Sequence, residues 1–282
     1  MPIDLKRSRL TFQKLSRELT RLVKKPAPES VHKFRTNSRR VEALLSEVVV
    51  ESRRSDDRLL RILARLRKKA GRVRDLDVQI AALRSLKIPG GNGHKAQFME
   101  ALVEERAQRE KKLAHAFDRE TANEIRRRLK RAATRMAISA DTEPLVLTLA
   151  KLAQLGRDYV PLTEKTLHQY RIIGKRARYI AELSDNEPEA CRVVERLKHM
   201  QDVIGDWHDW LKLTQKAEEL IGDVRDSALV AMLRNVTQAK FRQSLDAVAA
   251  IRSELAGKTL RPPATQIRKP SRDEAARATA VA

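Results

Sequence analysis

The chain has 282 residues, with 59 Lys and Arg against 37 Asp and Glu, a formal charge of +22 and a pI near 10.6. Aromatic residues make up only 4%, with 9 glycines and 10 prolines; this excludes a sheet-based enzyme with glycine-rich cofactor loops and favours long helices. A single cysteine, Cys191, excludes an intramolecular disulfide framework and a cysteine-based zinc cluster. No apolar run approaches the ~18 residues of a membrane span, and the start has no hydrophobic signal core, so a cytoplasmic chain without membrane insertion is expected.

Helical periodicity runs through most of the sequence, and breaker residues set the boundaries. A first helix is predicted over 4–24, with Leu5, Phe12, Leu15, Leu19 and Leu22 on one face, stopped by Lys25-Pro26-Ala27-Pro28. A second covers 29–53. A third begins near Asp56-Asp57, acids suited to a helix N-terminus, and runs to 86. After the loop Ile88 to Gly93, one very long fourth helix is predicted over 95–137. The fifth, sixth, seventh and eighth end near 157, 184, 220 and 256, separated by breakers at Pro161, Pro188 and Gly222. Gly257 is expected to end the helical region, leaving 257–282, with Pro262-Pro263 and Pro270, as a flexible basic tail.

Charge is unevenly spread. Residues 1–138 carry 36 basic and 17 acidic side chains, a net +19, whereas 139–256 carry 17 and 18, a net −1. The same two segments share an internal repeat. Val31-His32-Lys33-Phe34-Arg35, then Arg39-Arg40, is echoed 136 residues later by Leu167-His168-Gln169-Tyr170-Arg171, then Lys175-Arg176. Gly71-Arg72-Val73-Arg74-Asp75 is echoed at an offset of 134 by Gly205-Asp206-Trp207-His208-Asp209. Two motifs in the same order at nearly equal offsets point to duplication. The expected fold class is therefore all-α, with two four-helix bundles (1–138 and 139–256) related by pseudo-two-fold internal symmetry, followed by the basic tail.

The repeated motif segregates its faces. At ~100° per residue, His32, Arg35 and Arg39 lie within ~60° of one another, opposite Phe34, Val41, Leu45 and Val48, with Arg40 on the flank. His168, Arg171, Lys175 and Arg178 form the matching stripe, with Arg176 completing the motif. Neighbouring helices add rows: Lys14, Arg17, Arg21 and Lys24 on the first, and Arg58, Arg61, Arg65, Lys68 and Arg72 on the third. The row in the second half is thinner, Arg192, Arg196 and His199. Like charges recurring at i, i+3 and i+4 mildly destabilise a helix unless an anion compensates, so a merely solvated face explains them poorly. Guanidinium groups take phosphate oxygens through two N–H donors at once. Parallel rows of such groups suit a polymer charged at every repeat unit.

These two His-x-x-Arg-x-x-x-(Arg/Lys)-Arg motifs, each followed by a Gly-x-x-x-Asp segment, resemble the CHAD family, the conserved histidine α-helical domain. The resemblance spans residues 1–256. It implies two pseudo-symmetric four-helix bundles and a basic cleft that binds inorganic polyphosphate, with His32, Arg35, Arg39, Arg40, His168, Arg171, Lys175 and Arg176 at the site. It also matches Arg74-Asp75-Leu76-Asp77 and the segment Gln201 to Asp209 to the family's acidic segments. Two features depart from the pattern: Lys175 stands where the ideal motif has arginine, and the second half is net neutral.

Asp75 and Asp209 are expected to orient arginines, and Trp207 and Trp210 to belong to the core. No catalytic set is apparent. The histidines show neither His-x-x-x-His nor His-Glu-x-x-His spacing, and Gly90 to Lys95 lacks the strand–loop–helix context of a phosphate-binding loop. No enzyme activity, metal or cofactor is expected. The leading expectation is a polyphosphate-binding protein associated with polyphosphate granules. The alternative is a nucleic-acid-binding protein contacting duplex backbones, since aromatic poverty disfavours base stacking.

Overall fold

Prolines and polar caps start most of the helices. The computed structural model describes residue 3 and residues 5–50, 53–88, 93–139, 142–156, 161–184, 187–222 and 227–259. Nine helices occur among them: α1 (Leu5–Lys24), α2 (Pro28–Glu47), α3 (Arg54–Ser85), α4 (Gly93–Ala116), α5 (Arg119–Arg135), α6 (Pro144–Gly156), α7 (Glu164–Ala181), α8 (Pro188–Ile221) and α9 (Ala228–Thr259). Pro28, Pro144 and Pro188 each open a helix, where the missing N–H costs nothing and φ is already set. Thr163 and Thr166 form a reciprocal capping box at the start of α7.

The single helix expected over 95–137 is two. Phe117 is buried and packs edge-on against Phe34 with ring centroids 5.0 Å apart, while the Asp118 carboxylate accepts the Thr121 N–H at 2.6 Å and caps α5. A buried aromatic and an N-cap worth ~1 kcal/mol outweigh continuous helical periodicity at this point. The second helix stops at Glu47, before the β-branched run Val48-Val49-Val50, rather than reaching 53. The last helix continues through Gly257 to Thr259. The rest of the expected tail, 260–282, lies outside the described residues.

Three apolar clusters form the core. The first draws on α1, α2, the N-terminal half of α3 and α5, around Phe12, Phe34, Leu44, Leu63 and Ile125. The second draws on α6, α7, the N-terminal part of α8 and the C-terminal part of α9, around Leu167, Tyr170, Ile204 and Trp207. The third was not anticipated from the sequence. There the distal halves of the two longest hairpins, α3–α4 and α8–α9, meet through Leu76, Ile80, Leu83, Phe98, Leu102, Leu213 and Leu233. Because α3 has 32 residues and α8 has 34, at ~1.5 Å per residue each is long enough to serve one of the first two clusters and this shared cluster. The shared cluster fixes α3 against α8, and α2 packs directly on α7. The two repeated His–Arg helices are thus held side by side.

Candidate anion-binding cleft

The cleft lies where α2 crosses α7, with α3 and α8 as flanking walls. On the α2 side Phe34, Val31 and Val41 are fully buried in the first core, which turns His32, Arg35 and Arg39 outward toward α7. On the α7 side Leu167, Tyr170 and Ala177 anchor the second core and turn His168, Arg171 and Lys175 toward α2. Arg35 is fixed: its Nη1 donates to the Gly71 carbonyl and to Asp75 Oδ1, both at 3.1 Å. Asp75 therefore orients an arginine. The α8 wall brings His208 and Asp209, with the His168 and His208 rings stacked 6.3 Å apart.

The electrostatics record how crowded the cations are. Burial holds the Arg39 guanidinium below its ordinary pKa, with Arg35, Arg67 and Arg171 pushing the same way and Tyr179 opposing. Arg171 is lowered by burial and by Arg35, against the pull of Asp209 and Asp75. Lys175 is pushed down to about 6, by burial first and then by Arg171, Arg39 and Arg35, with Asp209 only partly compensating. The amine on α7 is therefore largely neutral at pH 7 in the unliganded cleft. Burial and neighbouring cations lower His32, through Arg74, Arg35, Arg39 and Lys33; His168 is lowered by burial, then His208, Arg171 and Lys175. Arg171 Nε is buried with no hydrogen-bond partner. Among the described residues, Arg39, Arg74, Arg171 and Lys175 hydrogen-bond to no carboxylate.

The other expected site residues divide into three groups. Arg176 lines the continuation of the cleft with Arg39, Arg67, Lys175 and Tyr179, where Glu42 and Glu47 close the end. Arg40 and Arg178 instead share Glu182, at 2.8 and 3.4 Å, and flank the Tyr179 ring; they latch α2 to the end of α7. The remaining rows are exposed and lie outside the cleft. Lys14, Arg17, Arg21 and Lys24 are on α1, and Arg58, Arg61, Arg65, Lys68 and Arg72 are on α3. Arg192, Arg196 and His199 are on α8, N-terminal to the His208–Asp209 pair that faces the cleft.

On α3 the row sits roughly 100° around the helix from Gly71. Polar α3 side chains that reach α2 include Arg67, which donates to Ser38 Oγ at 3.2 Å and pairs with Glu42 at 2.7 Å, together with Arg74 and Asp75. Arg67 lies off the denser row that charge spacing picks out on α3. Its i, i+4 relation to Gly71 was the available signal. Trp207 is buried in the second core and Trp210 packs on the third. Among the described residues, no three His, Cys, Asp or Glu groups are placed to hold a metal ion, and no helix is long and apolar enough to cross a membrane.

An all-helical protein with paired cationic helices facing one cleft is thereby defined. The CHAD domain model matches residues 8–235, and the chain belongs to the CHAD family. Among solved structures, it is similar to the CHAD domain from the plant Ricinus communis, with a TM-score of 0.65 at 17% identity over 87% of this chain and 88% of that one. It is also similar to PptA from Streptomyces chartreusis, with a TM-score of 0.65 at 16% identity over 91% of this chain and 100% of that one. No curated protein matches the chain.

Proposed function

We propose that the chain binds inorganic polyphosphate in the α2–α7 cleft, without catalysing its turnover, and associates through it with polyphosphate granules. The family supports the ligand class. The observation that carries the reading is the convergence of Arg39, Arg74, Arg171 and Lys175 from three helices with no carboxylate bonded to any of them. Desolvated cations that raise one another's free energy are relieved by a polyanion, and guanidinium groups match phosphate oxygens in pairs. Asp75 is committed to Arg35, which suits positioning rather than proton transfer. Binding is expected to weaken steeply with salt as counterions are released.

The test is competition between long-chain polyphosphate and duplex DNA at matched charge concentration near physiological salt. Polyphosphate is expected to resist displacement; displacement by DNA at equal charge overturns the reading. Location is tested by Arg39→Glu with Arg171→Glu. Losing two charge-assisted contacts of ~1.5–3 kcal/mol each lowers affinity by about 100-fold or more. An equal loss from Arg58→Glu with Arg65→Glu would mean diffuse attraction without a defined site.

A further inference from the structure

Three further basic features lie outside the cleft, and they differ in how they connect to it. A groove between α1 and α2 is lined by Lys14, Arg17, Arg21, His32 and Arg40. It shares His32 with the cleft, and Arg40 with the latch beside it. On the other side of α1, a groove against α5 is lined by Arg9, Arg17, Arg126, Arg127 and Lys130. It shares Arg17 with the first groove. The third feature, the α3 row of Arg58, Arg61 and Arg65, lines a shallow surface with Ala64 of the same helix and shares no residue with the cleft.

We propose that α2, α1 and α5 form one continuous polyphosphate track, so that a long chain leaves the cleft past His32, crosses α1 at Arg17 and ends on α5 at Arg126 and Lys130. The proposal rests on polyphosphate binding in the cleft and adds a second, chain-length-dependent segment to it. Charge supports the path: α1 and α5 together carry 14 Lys and Arg against three acids. Of those acids, Glu18 is buried and held by Arg21, and Glu124 is engaged by Arg127 and Arg128. Lys14, Arg17 and Lys130 have no carboxylate partner among the described residues. Because the path crosses α1, whose diameter with side chains is ~10–12 Å, a chain that occupies both grooves must be longer than one that fills the cleft alone. The opposite direction is poorer, because the cleft closes on Glu42 and on Glu47, which Lys151 holds at 2.7 Å.

Two contiguous segments on one polymer act as linked sites, so affinity rises with chain length once the ligand exceeds the cleft. The experiment measures binding of tripolyphosphate and of long-chain polyphosphate to the full chain and to Arg17→Gln/Arg126→Gln/Lys130→Gln. Neutral substitutions are chosen so that the field at the cleft changes little. The long chain is expected to lose about tenfold in affinity, with its salt dependence shallower by ~2 because three phosphate contacts at ~0.7 each disappear. Tripolyphosphate affinity is expected to hold within about twofold.

The comparison variant Arg58→Gln/Arg61→Gln/Arg65→Gln removes as much charge from the unconnected row and is expected to change long-chain affinity by less than about twofold. Equal losses for the two ligands, or equal losses from the two variants, overturn the track. So does a larger loss for duplex DNA than for long-chain polyphosphate, which would make the face a nucleic-acid surface. If the parent protein binds neither phosphate probe, the cleft reading itself fails. If it binds tripolyphosphate with no gain for the long chain, the cleft stands and the track alone is lost.

Discussion

The two walls of the cleft are built from equivalent helix pairs and finished differently. On the α2–α3 wall Arg35 is held by the Gly71 carbonyl and Asp75, so its guanidinium is oriented before any anion arrives. On the α7–α8 wall Arg171 holds the repeat-equivalent position, yet its Nε is buried unpartnered and the space in front of Gly205 is open. Lys175, the counterpart of Arg39, is pushed down to about 6. The electrically neutral half of the sequence thus contributes Arg171 and Lys175, two of the four cleft cations with no bonded carboxylate. Net charge per segment and readiness to take an anion are separate properties: the first wall is preorganised, and the second is expected to gain a proton when an anion binds.

Acidity gives the largest effect. Lys175 faces Arg171 on its own helix, Arg35 and Arg39 on α2, and Asp209 on α8, with Arg67, Glu42 and Arg176 lining the adjoining groove. Its pKa of about 6 in the folded protein lies far below the ordinary lysine value of ~10.4, so the unfolded chain holds more protons between these two values. Lys175 therefore destabilises the unliganded protein fully below pH 6, progressively less as pH rises, and not at all above about 10.

Bound polyanion favours the charged amine, so binding takes up a proton. Affinity is expected to fall roughly tenfold from pH 6 to pH 8. His32 and His168, also lowered, act in the same direction at the acid end. Titration calorimetry in buffers of different ionisation enthalpy reads the proton uptake directly. Lys175→Arg keeps its charge throughout and is expected to flatten the profile while strengthening binding at pH 8. A pH-independent parent between 6 and 8 would remove the asymmetry.

Next in size is the pair Arg35→Ala and Arg171→Ala. Arg171 gives up no existing hydrogen bond to bind an anion, so its loss costs the whole new contact, roughly tenfold in affinity. Arg35 already shares its donors, so its loss costs about threefold in affinity. In return it releases a tie between α2 and α3, lowering Tm by about 2–4 °C for each kcal/mol lost. Reversed rankings, with Arg35→Ala the weaker binder and Arg171→Ala the less stable protein, would mean that the preorganised wall contributes most to binding.

This asymmetry was only partly legible in the sequence. The repeat located α2, α7 and the cation-bearing positions, because a helix facing a core on one side must turn its i, i+3 and i+4 partners to the other. Asp75 as an orienting group followed from the same pattern. The break at Phe117-Asp118 did not, since it depends on Phe34 offering an edge from another helix. Nor did the third cluster: helix bounds give the lengths of α3 and α8, and only tertiary contact says what their distal halves meet. The α3 row is the denser one, whereas proximity to α2 selects Arg67 and Arg74, roughly 150° around the helix. Periodicity assigns a face within one helix and leaves open which neighbour that face meets.

The smallest expected effect isolates the backbone from the charges. Gly71 and Gly205 are equivalent helical glycines. A Cβ on Gly205 would meet nothing within 4 Å, whereas one on Gly71 would touch the Arg35 guanidinium at 3.5 Å, an ordinary contact. Alanine in a helix interior gains about 0.5–1 kcal/mol over glycine. Gly205→Ala is therefore expected to raise Tm by about 2 °C. Gly71→Ala is expected to gain a similar amount, but its methyl limits how far the Arg35 guanidinium, whose donor reaches the Gly71 carbonyl, can shift toward an anion. Polyphosphate affinity is expected to be unchanged for Gly205→Ala within about twofold and slightly weaker for Gly71→Ala, since only the second disturbs a binding arginine. Thermal melts with and without polyphosphate read both quantities in one series. If Gly205→Ala lost more affinity than Gly71→Ala, the polymer would be passing close over the open flank of α8, and the second wall would contribute backbone contact as well as charge.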